Sequence, residues 1–125
     1  MSEDTTDDTR AASSVQVPIE KTGQTLIARP QAKFIDDQQL KALAQAIDQN
    51  AGPNSGVSLI VLDLSRVQLL PSLALGLLVQ LSTKCKSRQQ KLKLAAVQAQ
   101  VRKVFAITRL DRVFDFAETV ESAME

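Results

Sequence analysis

The sequence predicts one α/β domain, a mostly parallel sheet of about five strands with an N-terminal edge hairpin strand and about four helices. Three observations lead there. After an opening hairpin, segments of strand character alternate with segments of helical period. The run from Val57 to Leu64 is almost continuously apolar, as expected of a central strand covered on both faces. A chain of 125 residues also has room for one sizeable core and gives no reason to expect two.

Residues 1–14, rich in Ser, Thr and Asp with little to bury, read as a disordered leader, and the domain is expected over 15–125. In VQVPIE the residues Val15, Val17 and Ile19 alternate with polar ones or Pro18. That pattern suits a half-buried strand, and the proline, which cannot donate to a ladder, places it at a sheet edge. Lys21-Thr22-Gly23 turns the chain into a second strand over Gln24 to Ala28. Asp36 and Gln39 have the spacing of a capping box. They precede Leu40, Leu43, Ala44 and Ile47, which form the stripe of an amphipathic helix ending in Asn50 to Gly56.

After the central strand, a long helix begins near Ser72 and closes at Lys84, Lys86 and Arg88. Cations suit a helix C-terminus, so this cluster reads as a solvated helix end. Leu92, Leu94 and Ala96 mark a further strand, and Val101, Val104, Phe105 and Thr108 the stripe of a helix over about Gln98 to Thr108. A short strand at Val113 to Phe116 and a last helix from about Thr119 complete the chain.

Composition narrows the chemistry. A formal net charge of +1 gives no reason to expect nucleic acid or an acidic membrane as the main partner. No apolar run is long enough to cross a bilayer, and the polar N-terminus MSEDTTDDTR is unlike a secretory signal. The simplest reading is cytoplasmic. The chain has no histidine, which closes Ser-His-Asp and Cys-His mechanisms and the common zinc sites. The lone Cys85 cannot form an internal disulfide and reads as a small helical residue. Lys84 and Lys86 would lower its pKa were it reactive. Four scattered glycines build no phosphate loop. The pairs Asp7-Asp8 and Asp36-Asp37 suit solvation and capping, so the chain reads as a non-enzyme without cofactor or metal.

The most informative stretch is VLDLSRVQLLPSLALGLLVQL, where a strand leads through Pro71 into a helix that begins at Ser72. From Leu73 to Val79 the helix is apolar on every side, whereas a helix on a sheet needs one apolar stripe. Some of these residues must face outward, and exposed apolar patches on small proteins mark binding surfaces.

This stretch and VRKVFAITRLDRVFDFAETVESAM, in this order and separation, resemble the STAS family, in particular the bacterial anti-sigma-factor antagonists. The resemblance covers about Val15 to Met124. It implies a transcription regulator that docks on an anti-sigma factor or kinase-like regulator and so frees a sigma factor. It also implies partner switching by phosphorylation of the residue at Ser72. The contact residues it implies are Pro71, Leu73, Ala74, Gly76 and Leu77, with Lys33 at the rim.

The chain departs from the family pattern at Pro71, where an Asp is usual, at Leu73 and Ala74, and at Lys33 in place of an acid. Two readings of Ser72 therefore stand, a phosphorylation site and a plain helix N-cap. The alternative function is an unswitched STAS scaffold, or a module holding a nucleotide or lipid at the same helix end.

Overall fold

The computed structural model describes residues 17–52 and 54–124. The expected leader, and Val15 of the first strand, lie outside them. The elements follow in the order β1 (Ile19–Thr22), β2 (Thr25–Ala28), α1 (Asp37–Asn50), β3 (Leu59–Asp63), α2 (Ser72–Ser87), β4 (Lys91–Ala95), α3 (Ala99–Ile107), β5 (Asp115–Ala117) and α4 (Val120–Ala123). The strands make one sheet in chain order, β1 antiparallel to β2 and the rest parallel.

The strand pleat sorts the core into two layers. Leu26, Ala28, Ile60, Leu62, Leu92 and Leu94 join a cluster with Leu40, Leu43 and Ile47 of α1, Leu75 and Leu78 of α2, and Val101 and Phe105 of α3. Residues one place along, Ile27, Val61 and Ala95, pack with Val120 and Ala123 of α4. Side chains alternate faces along a strand. With β3 in the middle and layers on both sides, Ile60, Val61 and Leu62 are all buried, which is why this segment is apolar without alternation.

β1 lies at the sheet edge as expected, but it starts one residue after Pro18. The proline takes part through its carbonyl, which accepts from Arg29 N at 3.0 Å. The hairpin loop is Gly23-Gln24, since Thr22 pairs with Thr25. Gly23, at φ +60°, holds the left-handed conformation that glycine adopts without a steric penalty.

The Asp36 carboxylate accepts from Gln39 N at 2.9 Å and caps α1. The reciprocal half of a capping box is absent, because Gln39 Oε1 is buried without a partner. The helix at the C-terminal end carries the full box instead: Thr119 Oγ1 accepts from Ser122 N, and Ser122 Oγ accepts from Thr119 N.

Two expectations need correction. The cluster ending α2 is not merely solvated: Lys84 Nζ and Arg88 Nη1 both reach Asp48 of α1, at 2.6 and 3.0 Å, and pin the two helices together. Burial pushes the Asp48 carboxyl up, but the Lys84 hydrogen bond and the two charges outweigh it and hold the pKa below the usual value. Before β5, residues Leu110–Arg112 form a 3₁₀ turn, so the strand begins at Asp115 rather than Val113. Phe105 anchors this corner, meeting Phe114 and Phe116 edge-on at 5.5 and 5.4 Å between ring centres, a favoured aromatic geometry.

Candidate functional site

Two extended segments meet ahead of α1 and α2. Lys33 O accepts from Gln68 N and Leu69 N at 2.7 and 3.0 Å, and Ile35 N donates to Leu69 O at 3.2 Å. Phe34 and Leu69 thus face each other in a parallel bridge. Continuing that register by two residues sets Asp36, the cap of α1, level with Pro71, the cap of α2. The two helix N-termini open on the same end of the sheet, beyond the C-terminal edges of the parallel strands, where α/β folds commonly place their sites.

The bridge sorts its own residues. Ile35, Val67 and Leu70 turn into the core, whereas Phe34 and Leu69 stand 46% and 55% exposed. Leu73, in the first turn of α2, is 64% exposed. These are three of the six exposed large hydrophobic residues among those described; Leu69 and Leu73 lie on either side of Ser72 in the chain, and Phe34 joins them through its bridge to Leu69. Phe34 and Leu69 were missed from sequence. A signal existed in the pair Leu69-Leu70, because neighbours in extended chain point to opposite faces and only one of the two could be core.

Pro71 is the N-cap of α2, with φ −70° and ψ 161°, and supplies no side-chain hydrogen bond. Ser72 is the first helical residue and is exposed, so the reading of Ser72 as the N-cap is corrected. The first helical bond runs from Leu75 N to Pro71 O at 3.1 Å, which leaves the amides of Ser72, Leu73 and Ala74 without a helical partner. No acidic residue stands in the first turn. No residue of the helix's own first turn therefore offsets the positive end of its dipole.

Of the expected contact residues, Lys33, Leu73 and Gly76 are exposed, and Pro71 and Leu77 are half-buried. Ala74 is corrected: at 0% exposure it is core, because it faces the sheet together with Leu75 and Leu78. Below Leu73 on the outer face lie Gly76 and Gln80, at the three- to four-residue spacing of one helix side. Leu77 and Leu81 continue into a groove of about 370 Å³ between α1 and α2, whose other wall is Leu40, Lys41, Ala44 and Gln45. Asp48 and Lys84 close it.

Gly76 has no packing reason to be glycine, since a Cβ built there meets nothing within 4 Å. Cys85 is buried in the core, and its thiol is pushed up to about 11, by burial foremost. The nearby charges of Arg88 and Lys84 pull the other way but do not outweigh burial, in keeping with the reading of Cys85 as an unreactive helical residue. Among the described residues no group of three or more His, Cys, Asp or Glu could hold a metal, and no helix is long and apolar enough to cross a membrane.

A family model described as the STAS domain matches residues 16–123. No curated protein sequence matches the chain. Solved structures with the same fold include a Thermotoga maritima protein, 24% identical with TM-score 0.75, over 86% of this chain and 91% of that one. An anti-sigma factor antagonist from Mycobacterium paratuberculosis is 24% identical with TM-score 0.70, over 87% and 90%. The anti-sigma factor antagonist SpoIIAA is similar in two forms. Unphosphorylated, it is 21% identical with TM-score 0.72 over 87% and 93%. Phosphorylated, as the Bacillus cell fate determinant, it is 20% identical with TM-score 0.66 over 87% and 96%.

Proposed function

The chain belongs to the STAS domain family, and from that premise we propose that it is an anti-sigma factor antagonist acting as a cytoplasmic, non-enzymatic partner switch. The observation that carries this reading is the join of an exposed hydroxyl to an exposed apolar surface. Ser72 stands at a helix N-terminus that no side chain caps, between Leu69 and Leu73 in the chain, with Phe34 bridged to Leu69. The apolar residues supply the area that a partner removes from water, about 25 cal/mol per Å² of apolar surface buried. Lys33 and Gly76 lie at the edges of the same surface, Leu77 continues it, and Pro71 fixes the entry into the helix.

The off-switch is phosphorylation of Ser72 by a kinase-type anti-sigma factor. A phosphoryl group adds about −1.5 to −2 charge. Three amides without a helical partner and the positive end of the helix dipole can accept it within the isolated domain, so the fold survives. Docking does not survive, because the dianion then sits between leucines that the partner must cover and would have to be desolvated. The likeness to SpoIIAA in both its phosphorylated and unphosphorylated forms supports a fold that tolerates the modification.

The test uses the full-length chain with a kinase-type anti-sigma factor recovered by affinity capture, and ATP. Mass spectrometry should find one phosphate on the wild type and none on Ser72→Ala. The phosphorylated protein should keep its circular dichroism and bind at least about ten-fold more weakly, a difference of ~1.4 kcal/mol. Leu73→Asp should fold normally and lose binding. A captured, active kinase that leaves Ser72 unmodified would refute the switch and favour an unswitched scaffold. Full binding by Leu73→Asp would refute the surface.

A further inference from the structure

The end of the sheet opposite Ser72 carries a second exposed surface. α3 runs back from the C-terminal edge of β4, so its last turn and the 3₁₀ turn lie toward the strand N-termini. There Ile107 is 74% exposed, the highest value among the exposed large hydrophobic residues described, and Val113 is exposed on the far side of the turn. Neither position is forced outward by a loose backbone. Phe105 and Phe114 are buried on either side, and Leu110 packs against the core between them. The corner is a fixed shape that presents apolar groups to water.

Charge is concentrated at the same place. The whole chain balances fifteen cations with fourteen carboxylates, yet residues 99–113 hold Arg102, Lys103, Arg109 and Arg112 against Asp111 alone. Arg102 is committed to the Phe116 ring at 4.2 Å. Asp115, just beyond, is set across from Lys93 in the sheet register. Lys103, Arg109 and Arg112 are exposed, and among the described residues none of the ion pairs involves them. Arg109 holds φ +62° just after α3. A glycine adopts this left-handed conformation freely at a helix end, whereas an arginine does so against a steric penalty. A backbone cost borne by an exposed cation, in a cluster where Asp111 is the one acid, points to a use for that cation.

We infer that this corner is a second docking surface, independent of the Ser72 surface, and that its occupant is an acidic segment of a partner protein with an apolar side chain between its carboxylates. Arg109 and Arg112 supply paired donors for carboxylates, a geometry lysine cannot offer. Ile107 and Val113 supply the apolar seat. An anionic bilayer would meet the charges too, but three cations and two small apolar groups give it a weak hold. Because the two surfaces sit at opposite ends of the sheet, one partner can be switched while the other stays attached.

The test pans a library of random peptides of about twelve residues on full-length wild type, with counter-selection on the Ile107→Ser, Arg112→Ser double variant. Enriched peptides should be net acidic with at least one Leu, Ile or Phe. They should bind wild type about ten-fold more tightly than the double variant, weaken with added salt and be indifferent to Leu73→Asp. Arg109→Gly should bind them more weakly while melting no lower than wild type, which separates a binding role from a structural one. No discriminating peptides, or neutral and basic ones, would overturn the proposal. So would phosphatidylserine vesicles that sediment wild type, but not the double variant, when no peptide binds either.

Discussion

Replacing Gly76 by alanine should make the protein more stable and its partner complex weaker. Gly76 lies inside α2, where glycine is about 1 kcal/mol less favourable than alanine because its backbone loses more freedom on folding. Nothing in the domain offsets that cost. The residue is exposed, its φ is not in the left-handed range, and the added methyl would meet no atom within 4 Å. The full propensity difference should therefore appear as a gain of ~1 kcal/mol, or about 3–5 °C in Tm for a domain of this size. Urea and thermal denaturation by circular dichroism measure it. A gain below ~0.3 kcal/mol, or a loss, would mean that α2 is not a regular, solvent-facing helix at this point. The second half of the reasoning is functional: a glycine kept at such a position leaves room for close approach from outside. Gly76→Ala should then bind the anti-sigma factor about ten-fold more weakly, and unchanged affinity would remove Gly76 from the contact surface.

Asp48→Asn should cost about 1 kcal/mol at neutral pH, since it strips a partner from both Lys84 and Arg88, each pair partly exposed and worth a fraction of that. The Asp48 pKa is lowered in the fold, so its contribution is present above the unfolded value of 3.8 and is lost as pH falls through the folded one. Wild type and variant should converge in acid urea titrations, and a constant gap down to pH ~2 would refute the pairing. Cys85, with its thiol at about 11, should carry on the order of one thiolate per thousand molecules at pH 8 and resist a chromogenic disulfide reagent until the protein unfolds. The same upward shift means that stability present below pH 9 should decline as pH rises toward 11. Prompt labelling of native protein would show that the helix opens there.

Much of the fold was legible because it is written in local patterns. The unbroken apolar run of β3, the stripe Leu40, Leu43 and Ile47, the Asp36 cap and the start of α2 at Ser72 each follow from neighbours within a turn or a pleat. The alternation of strands and helices then leaves few topologies. The site was legible only as a position. An all-apolar helix carries no record of which side is covered, so the sequence could not separate buried Ala74 from exposed Leu73. That choice is made by where the sheet lies. Phe34 and Leu69 join the surface through a bridge between segments far apart in the chain. Lys84 and Arg88 turn from solvated cations into helix ties because α1 brings Asp48 beside them. The displaced start of β5 follows from the packing of Phe105 with Phe114 and Phe116. Periodicity reports how a segment sits on its own axis, but exposure and ion pairing depend on what the rest of the chain places opposite it.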